Sequence, residues 1–130
     1  MLKVLPIQSK DEQKHLCAIC GVEYKEELLS YAASVNDEFC GVCQFKLTDV
    51  GGIIYDIAHP DGLFDAQAIF VLGRAALNFI DLCGVHSATF VGALSESIDD
   101  SLIRRIGFSK NSEGIYSVDL THFFDHPCQH

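Results

Sequence analysis

Across residues 65–83 the apolar side chains recur every three to four positions, and the segments on either side do not share that period. Ile69, Leu72, Ala76, Phe79, Ile80 and Cys83 fall on one face, and Gly84 follows as a stop. A helix of this length would run about 28 Å, enough to cross a whole sheet. His59-Pro60-Asp61-Gly62 breaks the chain just before it. One long amphipathic helix set between β-rich stretches has to bury its apolar stripe against a sheet, which predicts a layered α/β (α+β) domain.

The flanking segments supply that sheet. Residues 2–7 alternate loosely and read as a first strand. Ser9 and Glu12 form a capping-box pattern for a helix over residues 10–19, which carries Gln13, Leu16, Cys17 and Cys20 at helical spacing and stops at Gly21. Residues 27–35, 39–47 and 53–58 are rich in strand formers and are separated by turn chemistry at Asn36-Asp37 and at residues 49–52. They predict an antiparallel meander. After the long helix, residues 85–92 read as a strand that can lie parallel to residues 53–58. A short helix over residues 97–106, capped by Ser97 and ended by Gly107, precedes a hairpin of residues 108–112 and 115–120 around Glu113-Gly114. The predicted order is β-α-β-β-β-α-β-α-β-β: a mixed, mostly antiparallel sheet of six to seven strands with helices on both faces. No repeat or linker divides residues 1–130, and residues 121–130 form a tail.

Composition narrows the function. Hydrophobic residues are 48% and charged residues 21%, the balance of a globular chain. The formal net charge of −9 argues against nucleic acid or an anionic membrane as partner. No apolar run approaches a membrane span or a signal peptide, so a cytoplasmic setting with reduced thiols is expected. Cys83, between Leu82 and Gly84, reads as a small buried residue at a helix end.

Three local patterns then resemble the GNAT superfamily of N-acetyltransferases, whose element order is also the predicted one. Asn36-Asp37-Glu38-Phe39-Cys40-Gly41 is similar to that family's turn into its third strand. Ile57-Ala58-His59-Pro60 is similar to the end of its fourth strand, and Leu102 through Gly107-Phe108 to its late helix ending in Gly-Phe. The resemblance covers residues 2–120. It implies acetyl-CoA as cofactor, with the pyrophosphate at the N-terminus of the long helix, where backbone N–H groups and the helix dipole favour an anion. The implied contacts are mainly backbone, at Ala58, His59, Leu63, Ala66 and Ala68. Leu63 stands where the family carries Gln or Arg, and Ala66 stands for the first Gly. Asp61 and Asp65 adjoin this loop, and either could cap the helix and occupy the same N–H groups.

Acyl transfer to an amine also needs a base and an acid. Asp56, in an apolar run on the fourth strand, is the candidate base; the plainer reading is a bond to a neighbouring backbone group or exposure to solvent. His86 is a second candidate. Tyr55 and Tyr116 are candidate acids or core residues, because the family's late-helix Tyr position is Ile103 here. The implied partners are an acyl-CoA and a small amine, and an exposed edge of the closing hairpin could support a homodimer. A non-catalytic GNAT-like binding domain with a degenerate CoA site is the alternative.

A further alternative comes from spacing alone. Cys17, Cys20, Cys40 and Cys43 form C-x2-C-x19-C-x2-C, within the range of a structural zinc site. Against it, Cys40 and Cys43 on a regular strand would point to opposite faces. His122, His126, Cys128 and His130 crowd the tail, where Asp125-His126-Pro127-Cys128 could bind a metal but incidental clustering is the plainer reading. Phe123 and Phe124 are expected to pack the tail onto the domain.

Overall fold

A computed structural model describes residues 1–125; His126, Cys128 and His130 lie outside them. The element order is the predicted one: strand β1 (Leu2–Pro6), helix α1 (Lys10–Cys20), strands β2 (Leu29–Val35), β3 (Glu38–Thr48) and β4 (Gly51–Ala58), helix α2 (Ala66–Leu82), strand β5 (Ser87–Phe90), helix α3 (Asp100–Ile106), and strands β6 (Ser109–Lys110) and β7 (Tyr116–Asp119). All seven strands form one sheet, ordered β1-β2-β3-β4-β5-β7-β6. Every pairing is antiparallel except β4 with β5.

Local chemistry accounts for the elements. Ser9 caps α1 by accepting from the Glu12 amide at 3.2 Å, and Gly21 ends it in the left-handed region. Asn36 and Asp37 both take positive φ, 52° and 70°, giving a two-residue hairpin whose twist matches the flanking strands. Several bounds differ from expectation. Gly51 and Gly52 belong to β4 rather than to the turn before it. Helix α3 begins at Asp100, because the Asp99 carboxylate caps it through the Leu102 amide at 3.0 Å; Ser97 is not the cap.

Helix α2 lies across one face of the sheet. Ile69, Leu72, Ala76, Leu77 and Ile80 are fully buried there, joined by Phe45, Ile54, Ile57, Ala88 and Phe90 from the strands. A Cβ added at Gly52 would come within 2.6 Å of the Ile80 side chain, so a side chain at this point in β4 would hold the helix off the sheet. Helix α3 packs beside α2 through Leu102, Ile103 and Ile106. Helix α1 covers the opposite face, where Cys17 meets Val42 and Ala58. Helices therefore flank both faces, as expected. Phe123 and Phe124 pack against the main core, as also expected.

Cys83 departs from its expected burial. It is exposed, because α2 runs past its last sheet contact at Ile80 and Cys83 becomes the cap, its N–H bonded back to Phe79 and Ile80.

Two irregularities in register set the faces of β3 and β4. Between β2 and β3, Ala33 pairs with Gly41 and Ser34 with Phe39, so Cys40 is an extra residue. Between β3 and β4, Gln44 pairs with Asp56 and Phe45 with Ile54, so Tyr55 is an extra residue. Each is a β-bulge, which reverses the alternation of side chains beyond it.

Candidate functional site

The bulge at Tyr55 decides what β4 presents. Ile54 and Ile57 both point into the α2 core, although three positions separate them. Tyr55 and Asp56 between them consequently both face the α1 side of the sheet. Tyr55 lies with its ring 5.8 Å from the Lys46 ammonium. Asp56 meets the buried Gln44.

Past this point the two central strands part. Strand β4 pairs with β5 at only three positions, Gly52 with Ala88, Ile53 with Thr89 and Ile54 with Phe90, and Val91 then donates to the Ile54 carbonyl at 3.0 Å. Strand β4 continues to Ala58 on β3, whereas the other chain turns away at Gly92. An added Cβ at Gly92 would sit 2.8 Å from the Phe90 ring and 2.9 Å from the Tyr55 carbonyl oxygen, so the turn here depends on glycine.

The parting leaves a cleft of about 230 Å³. Asp56, Ile57, Ala58 and His59 form one wall and Ala93, Leu94, Ser95 and Ile98 the other, with Cys20 and Val22 approaching from α1. A larger cavity, about 450 Å³, lies at the opposite end of β4 and β5. Among the described residues Asp119 is the one ionisable side chain on its lining, and hydrogen bonds from Thr121 hold that carboxyl below its usual range. The smaller cleft brings Asp56, His59 and Cys20 together on its lining.

Asp56 is oriented by a buried polar chain. Lys10 donates to Gln13 Oε1 at 3.1 Å, Gln13 Nε2 to Gln44 Oε1 at 2.9 Å, and Gln44 Nε2 to Asp56 Oδ2 at 2.8 Å. The second Gln44 amide hydrogen goes to the Glu23 carbonyl at 2.9 Å, and its oxygen also accepts from the Lys25 amide at 3.4 Å. Gln44 is fully buried with every polar position used, which fixes the orientation of its amide. Burial pushes the Asp56 carboxyl above the usual carboxylate range, and outweighs the opposing Gln44 hydrogen bond and Lys25 charge.

At the cleft mouth, His59 Nδ1 lies 2.8 Å from the Pro60 carbonyl and Nε2 lies 2.6 Å from Ser97 Oγ, while the ring packs on Phe64 with centroids 5.0 Å apart. Beyond it begins α2. Asp65 caps that helix, its Oδ1 accepting from the Ala68 amide at 3.0 Å. Ala66 and Gln67, the next residues of the first turn, are exposed. Ala68 is fully buried, and the Leu63 side chain packs against the core. Ala58 and His59 thus line the cleft and Ala66 lies beyond its mouth, while Leu63 and Ala68 are turned inward.

The other candidates fall elsewhere. His86 precedes β5 and pairs with Asp81 at 2.7 Å, outside the residues that line the cleft. The Tyr116 hydroxyl donates to the Asp100 carboxylate, a bond that raises its pKa, and its ring is buried against Phe90. Ile103 is a core residue.

The four-cysteine arrangement does not assemble. Cys17 packs under α1, whereas Cys43 and, through the bulge, Cys40 join the α2 core on the other face. The expectation that Cys40 and Cys43 point apart is therefore corrected, since the strand is not regular at Cys40. Among the described residues no three His, Cys, Asp or Glu side chains could hold a metal ion. Burial raises the Cys17 thiol to about 11 and the Cys20 thiol to about 12, so both are protonated at neutral pH. His122 in the tail bonds Asp125 at 2.7 Å.

Gln44 and Ser97 are the site residues that sequence reasoning missed. Gln44 carried a signal: it is a lone polar residue inside the apolar run 39–47, where burial demands partners. Ser97 carried the opposite one, because its position before a helix suggested a cap.

No family model matches this sequence, and no curated protein does. Solved structures do match. A Bacillus subtilis acetyltransferase in complex with CoA has a TM-score of 0.67 at 22% identity, over 86% of this chain and 79% of that one. The PaiA N-acetyltransferase of Thermoplasma acidophilum, in complex with coenzyme A, gives 0.67 at 10% identity over 92% and 99%. A spermidine N-acetyltransferase of Vibrio cholerae gives 0.71 at 7% identity over 95% and 96%. The chain has the GNAT fold.

Proposed function

We propose that this chain, carrying the GNAT fold, is an acyl-CoA-dependent N-acetyltransferase acting on an amine, with the acyl donor in the cleft between β4 and β5. The observation that carries this reading is the position of Asp56, a half-buried carboxylate of raised pKa, held by Gln44 on the wall of a cleft opened by the Tyr55 bulge.

The residues around the cleft fit such a donor in part. The first-turn amides of α2 at Ala66 and Gln67 have no intrahelical acceptor, and both residues are exposed, which suits a helix start that receives a phosphate. Ala58 and His59 would flank the arm of the donor along β4. Leu63 and Ala68 contribute backbone at most, and Asp65 has already taken the Ala68 amide. Bound acetyl-CoA supplies an acyl carbon activated by a sulfur leaving group. Asp56 takes the proton from the attacking amine nitrogen, and its raised pKa brings it closer to neutral pH than an exposed carboxylate would be. Ile57 and Ile98 keep the walls apolar and limit water.

The Asp65 cap also favours a second reading, a non-catalytic GNAT-like domain in which the degenerate CoA site no longer binds. Thermal melting with and without millimolar acetyl-CoA separates the two, because a ligand that binds the native state raises the midpoint. An unchanged midpoint overturns the enzyme. A raised midpoint, with acetyl transfer to a panel of small amines lost in Asp56→Asn, supports it. Homodimerisation through the edge at β6 belongs to the same proposal and is read by sedimentation; that edge strand is two residues long.

A further inference from the structure

We propose that Ser97 is an acyl-accepting nucleophile, activated by His59, and that the substrate class is an activated acyl ester or thioester. The inference goes beyond the reading of the cleft as a CoA site, because the pair requires only an activated acyl carbon.

The geometry defines the roles. A carbonyl oxygen can only accept, so His59 Nδ1 carries the hydrogen in its 2.8 Å contact with Pro60. In the neutral ring Nε2 then holds a lone pair, and Ser97 Oγ donates to it across 2.6 Å. Packing of the ring on Phe64 adds a second restraint on its plane. Nucleophile, base and a third group that orients the base stand in sequence, the arrangement that activates a serine hydroxyl. The base lies on the wall of the 230 Å³ cleft, next to Ala58.

Ser97 is also released from structural duty. A serine shortly before a helix ordinarily caps it, but Asp99 caps α3. Its neighbour Ser95 does serve the backbone, accepting from the Ile98 amide at 3.0 Å. Among the described residues, Ser97 Oγ bonds only His59 and, at 3.4 Å, the Ser95 hydroxyl. Ser97 is partly exposed, and its neighbours in sequence Ser95 and Ile98 line the cleft.

The step balances within these groups. The Ser97 Oγ–acyl bond forms and the acyl bond to the departing oxygen or sulfur breaks. The hydroxyl proton passes to His59 Nε2 and from there to the leaving group. Water or an amine then attacks the Ser97 ester, giving its proton to His59, which returns it to Oγ.

The test incubates the purified protein with p-nitrophenyl acetate and, separately, with acetyl-CoA. It follows nitrophenolate release and maps acetyl groups by peptide mass spectrometry. Acetyl on wild-type Ser97, with release reduced at least about tenfold in Ser97→Ala and His59→Gln, is the expected result. Ser97→Cys should accept the acetyl group on its thiol. If Ser97→Ala fails to fold, the wild-type map still decides. Acetyl absent from Ser97 with both donors, or full release by a folded Ser97→Ala, overturns the proposal. Labelling by the ester but not by acetyl-CoA upholds the pair and counts against the CoA reading. A melting midpoint raised by acetyl-CoA with no acetyl on Ser97 from either donor does the reverse.

Discussion

Gln44 places its amide nitrogen 2.8 Å from the Asp56 carboxylate, from a position with no exposure to solvent. That bond lowers the Asp56 pKa against the larger effect of burial. Gln44→Leu removes it and leaves the carboxylate desolvated without a donor. The alkaline-rising limb of any Asp56-dependent acyl transfer should therefore move to higher pH. The same variant leaves Gln13 and the Glu23 carbonyl without their partner, so stability should fall by about 1–3 kcal/mol per unsatisfied group. A pH–rate profile beside a denaturant melt separates the two effects; an unmoved limb would remove Gln44 from the positioning role.

Asp56 also leaves a mark on stability without any substrate. Its folded pKa lies above the ordinary value of 3.8, so the native state binds more protons than the unfolded chain between those two values. Stability is then lost as pH rises from about 4 through the raised value. Asp56→Asn keeps an acceptor for Gln44 and cannot ionise. Its melting temperature should fall less than that of the wild type across this range, and parallel curves would show that the carboxylate is not strained by burial.

Asp65 sets helix stability against anion binding. Asp65→Ala removes the carboxylate from the Ala68 amide and should cost about 1 kcal/mol. It also frees an N–H and deletes a negative charge at the helix start. Affinity for acetyl-CoA, read by calorimetry, should rise while the unliganded melting temperature falls. Weaker binding in a folded variant would place the pyrophosphate elsewhere.

Gly92→Ala tests the parting of the strands. Its methyl would meet the Phe90 ring and the Tyr55 carbonyl at under 3 Å, so the loop carrying residues 93–98 must shift. A loss of about 1–3 kcal/mol is expected, together with weakened acetyl-CoA stabilisation. Full ligand response with an unchanged melt would mean that the turn has more room than its packing indicates.

Thiol reactivity should be sharply uneven. Burial holds Cys17 near 11 and Cys20 near 12, and pushes Cys43 higher still. Cys83 is exposed. Among the five described cysteines, Cys83 should react first with a thiol reagent at neutral pH, and the buried ones only on unfolding. Rapid labelling of Cys43 in the native protein would contradict its place in the core.

What could be read from the sequence was what local patterning controls. The stripe from Ile69 to Ile80, the capping serine at Ser9 and the Asn36-Asp37 turn each carry their own physical cause, and the element order follows from them. The bulges at Cys40 and Tyr55 were not legible, because a bulge is a mismatch between two strands and neither strand records it alone. Their effect on the candidate site is large: without one, Asp56 could not follow Tyr55 onto the same face, and Cys40 could not share a core with Cys43. Asp56 was found because a carboxylate in an apolar run is conspicuous. Its support from Gln13 and Gln44 comes from residues 31 positions apart, a distance that periodicity does not span. Ser97 was misread because helix capping is a local rule, whereas its partner His59 lies 38 residues away.

The three-rung junction of β4 and β5 gives this sheet a third border, set in its interior. From Asp56 to Ala58 one side of β4 is bonded to β3 and the other looks onto the cleft. Unpaired strand borders invite other chains and promote aggregation. Here the cleft of about 230 Å³ lies where a neighbouring strand would otherwise pair, with Ala93, Leu94, Ser95 and Ile98 on its far side. The residues that close off this inner border are therefore the same ones that wall the cleft.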